Sequence, residues 1–227
     1  FDKLPQVLML TGKEGQGKFT LIHHLLAYIF DKNNYDLETL TISKKNILND
    51  NLKENYNPNI IYHNCIGNNI KIDDIRKLRL NLQKSSLNKF NRFIIFDDVE
   101  NLNENCVNAL LKTIEEPSKT NFFILVNNQK QTMLETLKSR SIETTVFLNN
   151  IEKTSIIKKL LNDFAVEEKI DSNDTTLTPG NYLKYNKLIL KEKINTNDNL
   201  IINVEKLLKL HKSKKNIDYF NFAIYLI

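Results

Sequence analysis

Three of the chain's five glycines lie within six residues, at Gly12, Gly15 and Gly17, and Lys18 follows directly. The segment runs Gln6-Val-Leu-Met-Leu-Thr-Gly-Lys-Glu-Gly-Gln-Gly-Lys-Phe-Thr-Leu21, an apolar run, a glycine-rich turn, then apolar residues at helical spacing. A strand, a glycine turn, a lysine and a helix in this order make a phosphate-binding loop. Glycines let backbone N–H groups turn toward a phosphate where a side chain would collide. Lys18 adds a point charge near the outer phosphates. The next position ordinarily carries Ser or Thr, whose hydroxyl ligates magnesium. Here it is Phe19, and Thr20 comes one place late. The loop points to a nucleotide-binding fold, and Phe19 argues against turnover.

At 227 residues the chain holds one large or two small domains, and 41% hydrophobic content supplies a core. It contains neither an apolar run long enough for a membrane span nor a signal-peptide pattern. Cys65 and Cys106 lie far apart and form no metal-ligand spacing, so a reduced, cytoplasmic protein is the simple reading. A net charge of +5 permits contact with nucleic acid without demanding it. The chain opens on Phe1 and stops within the apolar stretch Phe220 to Ile227, so material is expected beyond both ends.

Apolar patterning places strands at Val7–Thr11, Asn59–Tyr62, Phe93–Phe96, Phe122–Val126 and Thr144–Phe147, with a weak candidate at Thr39–Ser43. Between them, helical spacing links Leu21, Ile22, Leu25, Leu26 and Ile29. It also links Ile75, Leu78, Leu80 and Leu82, behind Asp73 as N-cap. A further helix from about Glu104 carries Val107, Leu110, Leu111 and Ile114 and stops before Pro117, and Leu134 and Leu137 mark a short one. Alternating strands and helices imply a parallel sheet covered on both faces, with ligands at the C-terminal strand ends. After Asn149 only helices follow: Ile151–Phe164, one after the turn Thr178-Pro179-Gly180, and Asn199–Lys214. The expected division is 1–149 for the nucleotide-binding-type domain, 150–190 for a helical lid and 191–227 for the start of a further helical domain.

Asp97-Asp98 closes an apolar strand as a second nucleotide-binding motif does. There an acidic residue holds magnesium, and the next, usually Glu, positions the attacking water. A solvated acidic turn is the plain alternative. Asn128, after the next strand, suits contact with a terminal phosphate or a water, and suits an ordinary loop equally well. Arg140 in Ser139-Arg140-Ser141 sits on a corner from which it would enter a neighbour's phosphate site; standing alone, the motif favours a surface arginine. His23 and His24 read as structural, and Lys209, Lys212, Lys214 and Lys215 as a solvated helix face.

Taken together, these residues resemble the clamp-loader branch of the AAA+ ATPases. The phrase Asn105-Cys-Val-Asn-Ala-Leu-Leu-Lys-Thr-Ile-Glu-Glu-Pro117 looks like that branch's Ala-Leu-Leu-Lys then Leu-Glu-Glu-Pro helix. Ser139-Arg140-Ser141 looks like its Ser-Arg-Cys motif with the Cys replaced. Ile70-Lys-Ile-Asp-Asp-Ile-Arg76 resembles the segment before the second motif. The resemblance covers about residues 1–190. It implies an AAA+ P-loop domain with a central parallel sheet, a small helical lid and the start of a helical collar.

Three departures from an active ATPase point to a non-motor member. Phe19 replaces the magnesium hydroxyl, Asp98 replaces the catalytic Glu, and Thr178-Pro-Gly-Asn-Tyr-Leu183 keeps the family's lid turn without its arginine. The resemblance then implies a stator in a ring of five clamp-loader subunits, lending Arg140 to a neighbour's ATP site. The sliding clamp and primed DNA would be met through the assembly, with no membrane partner. Gly12, Gly15, Gly17, Lys18, Thr20, Asp97, Asp98 and Asn128 would form a nucleotide site that is either vestigial or binds nucleotide structurally, at which ATP with magnesium is not expected to be productive. The family's four-cysteine zinc module would fall between the first helix and Asp73, where only Cys65 stands, so no zinc is expected. The rival is a motor subunit of the same branch, with Thr20 supplying the missing hydroxyl. A nucleotide kinase would leave the Glu-Glu-Pro phrase unexplained.

Overall fold

Strand β5 (Arg92–Asp97) carries Phe93, Ile94, Ile95 and Phe96, none with any exposed surface. A continuous apolar run of this kind belongs inside a parallel sheet covered on both faces. The sheet is that kind. In the computed structural model, which describes residues 4–48, 57–66, 70–83, 91–171, 176–195 and 198–227, five strands run parallel. They are β1 (Val7–Thr11), β4 (Ile60–Asn64), β5, β6 (Asn121–Asn127) and β7 (Ile142–Thr145), in the order β4-β5-β6-β1-β7. A short antiparallel pair, β2 (Tyr35–Asp36) and β3 (Thr41–Ile42), stands apart from it.

The period-two alternation of each strand feeds two cores. Val7, Met9, Ile94, Phe96, Phe123 and Leu125 pack on one face, with helices α2 (Ile72–Gln83) and α3 (Glu104–Ile114) and the short α4 (Glu135–Lys138). Leu10, Phe93, Ile95, Phe122, Ile124 and Val126 pack on the other, with Ile22, Leu26 and Ala27 of helix α1 (Lys18–Phe30). Helix α3 starts where Asn103 accepts a 2.9 Å bond from the Cys106 amide. It buries Cys106, Val107, Leu110, Leu111 and Ile114 along one stripe.

These elements form one compact unit, Phe1–Phe147, and a second runs Leu148–Ile227. The second contains helices α5 (Asn150–Asp163), α6 (Pro179–Glu192), α7 (Leu200–Lys214) and α8 (Ile217–Leu226). A capping box starts α5: the Asn149 side chain accepts from the Glu152 amide and the Glu152 carboxylate from the Asn149 amide. Pro179 sits in the first turn of α6, where its missing N–H costs nothing. Ile157, Tyr182, Tyr185, Ile189, Leu207, Tyr219 and Phe222 share one core across all four helices. Among the described residues no helix is long and apolar enough to cross a membrane.

Several expected details shift. Asp73 lies inside the first turn of α2 and pairs with Arg76, while Asp74 accepts the Lys71 amide at 2.9 Å. Leu80 and Leu21, expected on buried stripes, are exposed. Strand β7 begins two residues early, because its register follows Leu8–Thr11 of β1 rather than its own apolar residues. His23 and His24 bond the Leu48 carbonyl and the Tyr35 hydroxyl, as structural histidines do.

Candidate nucleotide site

The C-terminal edge of the sheet gathers the loop after β1, Asp97 at the end of β5 and Asn128 after β6. Gly12 must be glycine: an added Cβ would stand 2.6 Å from the Val146 carbonyl oxygen. Gly15 and Gly17 hold φ of +83° and +89°, the region glycine enters without steric cost. Lys18 is 3% exposed, and its Nζ donates to the Gly12 and Lys13 carbonyls at 2.6 and 2.9 Å. Burial pulls its pKa below the ordinary lysine value, against the raising pull of Asp97, Glu100, Asp98 and Glu14.

Asp97 and Asp98 come together with Asn128, whose Nδ2 donates to Asp97 Oδ1 at 3.3 Å and Asp98 Oδ1 at 3.0 Å. Asp98 adopts a left-handed backbone (φ 56°) and is buried. Thr20 does not join them; it is exposed on the first turn of α1. Phe19 turns inward instead and meets the ring of Tyr62 edge-on, 5.7 Å between centroids. The Tyr62 hydroxyl donates to Asp97 Oδ2 at 2.8 Å. Burial first and Asp97 second push that phenol's pKa well up, so it stays a donor.

Two residues that sequence reasoning missed complete the site. Lys130 Nζ lies 2.7 Å from Asp98 Oδ1 and 3.4 Å from Glu14 Oε2. Burial opposes its charge, but the bond to Asp98 and the field of Glu14 leave its pKa above the ordinary value. Glu100, 5% exposed, accepts the Asn128 and Lys130 amides through Oε1, while its buried Oε2 has no partner. Burial raises its pKa. Tyr62, Lys130 and Glu100 belong to no motif. Strand order brings Tyr62 and Lys130 to Asp97 and Asp98, and Glu100 follows those two directly in the chain.

The chemistry of this set accepts phosphate more readily than a divalent cation. The glycine backbone and Lys18 fit a phosphate. A magnesium ion demands near-octahedral oxygen ligation, and here Phe19 supplies no oxygen, Tyr62 occupies Asp97 and Lys130 occupies Asp98.

Arg140 lies elsewhere. Leu8 of β1 pairs with Ile142 of β7, so Arg140 precedes the N-terminal edge of the sheet and the glycine loop follows the opposite edge. Its Nε donates to Glu115 Oε1 at 2.8 Å and an Nη to the Thr136 carbonyl at 3.2 Å, with both charged side chains substantially exposed. The Glu-Glu-Pro phrase and the Ser-Arg-Ser corner thus meet. Ser141 bonds the Leu137 carbonyl at 3.0 Å. Cys65 and Cys106 are buried and free; residues 49–56 and 67–69 of the interval searched for zinc ligands lie outside the described residues.

A family model described as DNA polymerase III, delta subunit, matches residues 1–151. The DNA polymerase III subunit delta' of Bacillus subtilis (strain 168) is 28% identical over 140 residues, 61% of this chain and 41% of that one. A protein of Acanthamoeba polyphaga mimivirus, provisionally named replication factor C small subunit L478, is 29% identical over 184 residues, 77% of this chain and 48% of its own. The chain spans less than half the length of either relative. In fold it is similar to a DNA polymerase III gamma subunit-related protein of Thermotoga maritima. That likeness has a TM-score of 0.54 at 19% identity and covers 98% of this chain and 74% of the other.

Proposed function

This chain belongs to the DNA polymerase III delta subunit family, in the clamp-loader branch of the AAA+ ATPases, and from that membership we propose that it is a stator. In this reading it assembles with other clamp-loader subunits in a five-membered ring that acts on a sliding clamp and primed DNA. Residues 150–190 serve as its lid, 191–227 begin its collar, it works in the cytoplasm, and it carries no zinc. Arg140 serves the ATP site of an adjacent motor subunit. A guanidinium there stabilises charge that develops on the transferring phosphoryl group, an effect worth about 10³–10⁵ in rate in other phosphoryl-transfer systems.

The observation that carries the reading is the position of Arg140. It stands exposed beyond the sheet edge opposite its own glycine loop, so it serves another subunit or none. The chain's own loop, with no fit for magnesium, supports no hydrolytic step. Glu115 pairs with the exposed guanidinium, and a phosphate of higher charge would compete for it.

The test is ATP turnover by the reconstituted complex. Arg140→Ala is expected to lower it at least tenfold, with Lys18→Ala nearly neutral. The reverse ranking, together with turnover by this chain alone, would establish the motor reading. That reading has the intact glycine loop in its favour.

A further inference from the structure

We infer that Lys130 is a tethered cation that takes the place of a metal ion in the acidic site beside the glycine loop, and that it ties the loop to the sheet edge. One ammonium contacts two carboxylates from separate segments: Asp98 after β5 at 2.7 Å, and Glu14 within the loop at 3.4 Å. The lysine itself follows β6, so three segments distant in sequence meet at one charge. The Asp98 side chain is 5% exposed, and a carboxylate so far out of water needs a cationic partner or a proton. Asn128 supplies only neutral N–H groups to it. On the far side, the Tyr62 hydroxyl, backed by the ring of Phe19, already holds Asp97 Oδ2.

A lysine meets the electrostatic requirement without the geometric one. A divalent ion gathers about six oxygens in fixed directions, whereas an ammonium needs up to about three acceptors on a flexible stem. The Asp98 carboxylate is therefore balanced by a charge of the chain's own. Through Glu14 the loop is tied to Lys130, beside the bonds that Lys18 makes to the Gly12 and Lys13 carbonyls. This rests on the reading that the chain's own loop is not a hydrolytic centre, but not on any role for Arg140.

The experiment uses the chain alone and manganese as the probe. Manganese binding is followed by electron paramagnetic resonance, and protection of the amides of residues 12–18 by hydrogen exchange. The native chain is expected to hold no manganese below millimolar concentrations. Lys130→Met frees Asp98 and should bind the ion about tenfold or more tightly, with about a tenfold loss of loop protection. Lys130→Arg, which keeps the charge, should behave as the native chain does. Native-chain binding as tight as the variant's would overturn the inference. So would a folded Lys130→Met that binds no manganese and keeps its loop protection. Should that variant fail to fold, Lys130→Met with Asp98→Asn removes both charges at once, and native-like loop protection in the pair would overturn the bridging role. The stator reading fails or stands on the ATP turnover of the complex, which these readouts do not touch.

Discussion

Gly12 and Gly17 fill the same loop for different reasons, and the difference is measurable. A methyl at position 12 meets the backbone carbonyl of Val146 at 2.6 Å, whereas one at position 17 meets nothing within 4 Å but must hold φ near +89°. Backbone cannot yield as a side chain can. Gly12→Ala should cost about 1–3 kcal/mol by denaturant unfolding of the first unit, and Gly17→Ala less, since only its conformational strain counts. Glu100 is the second test at this scale. Burial raises its pKa from 4.5, so the folded state holds the proton more tightly than the unfolded state. Stability is then greatest below the unfolded value and falls as pH rises through the window that opens near 4.5. Glu100→Gln keeps an oxygen for the Asn128 and Lys130 amides and removes the charge. It should flatten that part of the stability–pH curve and leave the protein at least as stable at pH 7. A steeper curve would mean that Glu100 is ionised and favourably paired.

Elements in this chain are set by caps and by strand order. The capping box of α5 is the clearest case, because two backbone amides are satisfied by two side chains on an otherwise exposed start. Asn149→Ala should destabilise the second unit by about 1 kcal/mol without moving the unfolding of the first. The buried run of β5, the stripe of α3 and the glycine turn are local, and all were legible in the sequence, whereas the cap read at Asp73 falls inside the first turn of α2. Helix α6 was equally so, since Pro179 and Gly180 announce its start. What was not legible is long-range. Tyr62 and Lys130 carry no motif and become site residues only because β4 and β6 flank β5. The bounds of β7 follow β1, whose partner pattern cannot be seen from Thr144–Phe147 alone. Leu80 and Leu21 fit a helical period yet face water, a distinction that packing makes and spacing does not.

The whole chain consists of two units with separate cores. Each buries its own aromatic and aliphatic side chains, so two-state unfolding is the wrong description. Calorimetry should resolve two transitions, with substitutions such as Asn149→Ala and Gly12→Ala each shifting one of them. A single transition displaced by both would mean that the units unfold as one. The parallel sheet adds an asymmetry to the first unit. The five residues of β1, at about 3.3 Å per residue, keep the glycine loop and Arg140 on edges about 15 Å apart. Pharmacologically, the two edges are separate targets. If Arg140 serves a neighbour as proposed, a nucleotide mimic seated in this chain's loop would leave that arginine untouched. A compound meant to silence that arginine would have to wedge between Arg140 and whatever faces it, with Glu115 as the native group to imitate.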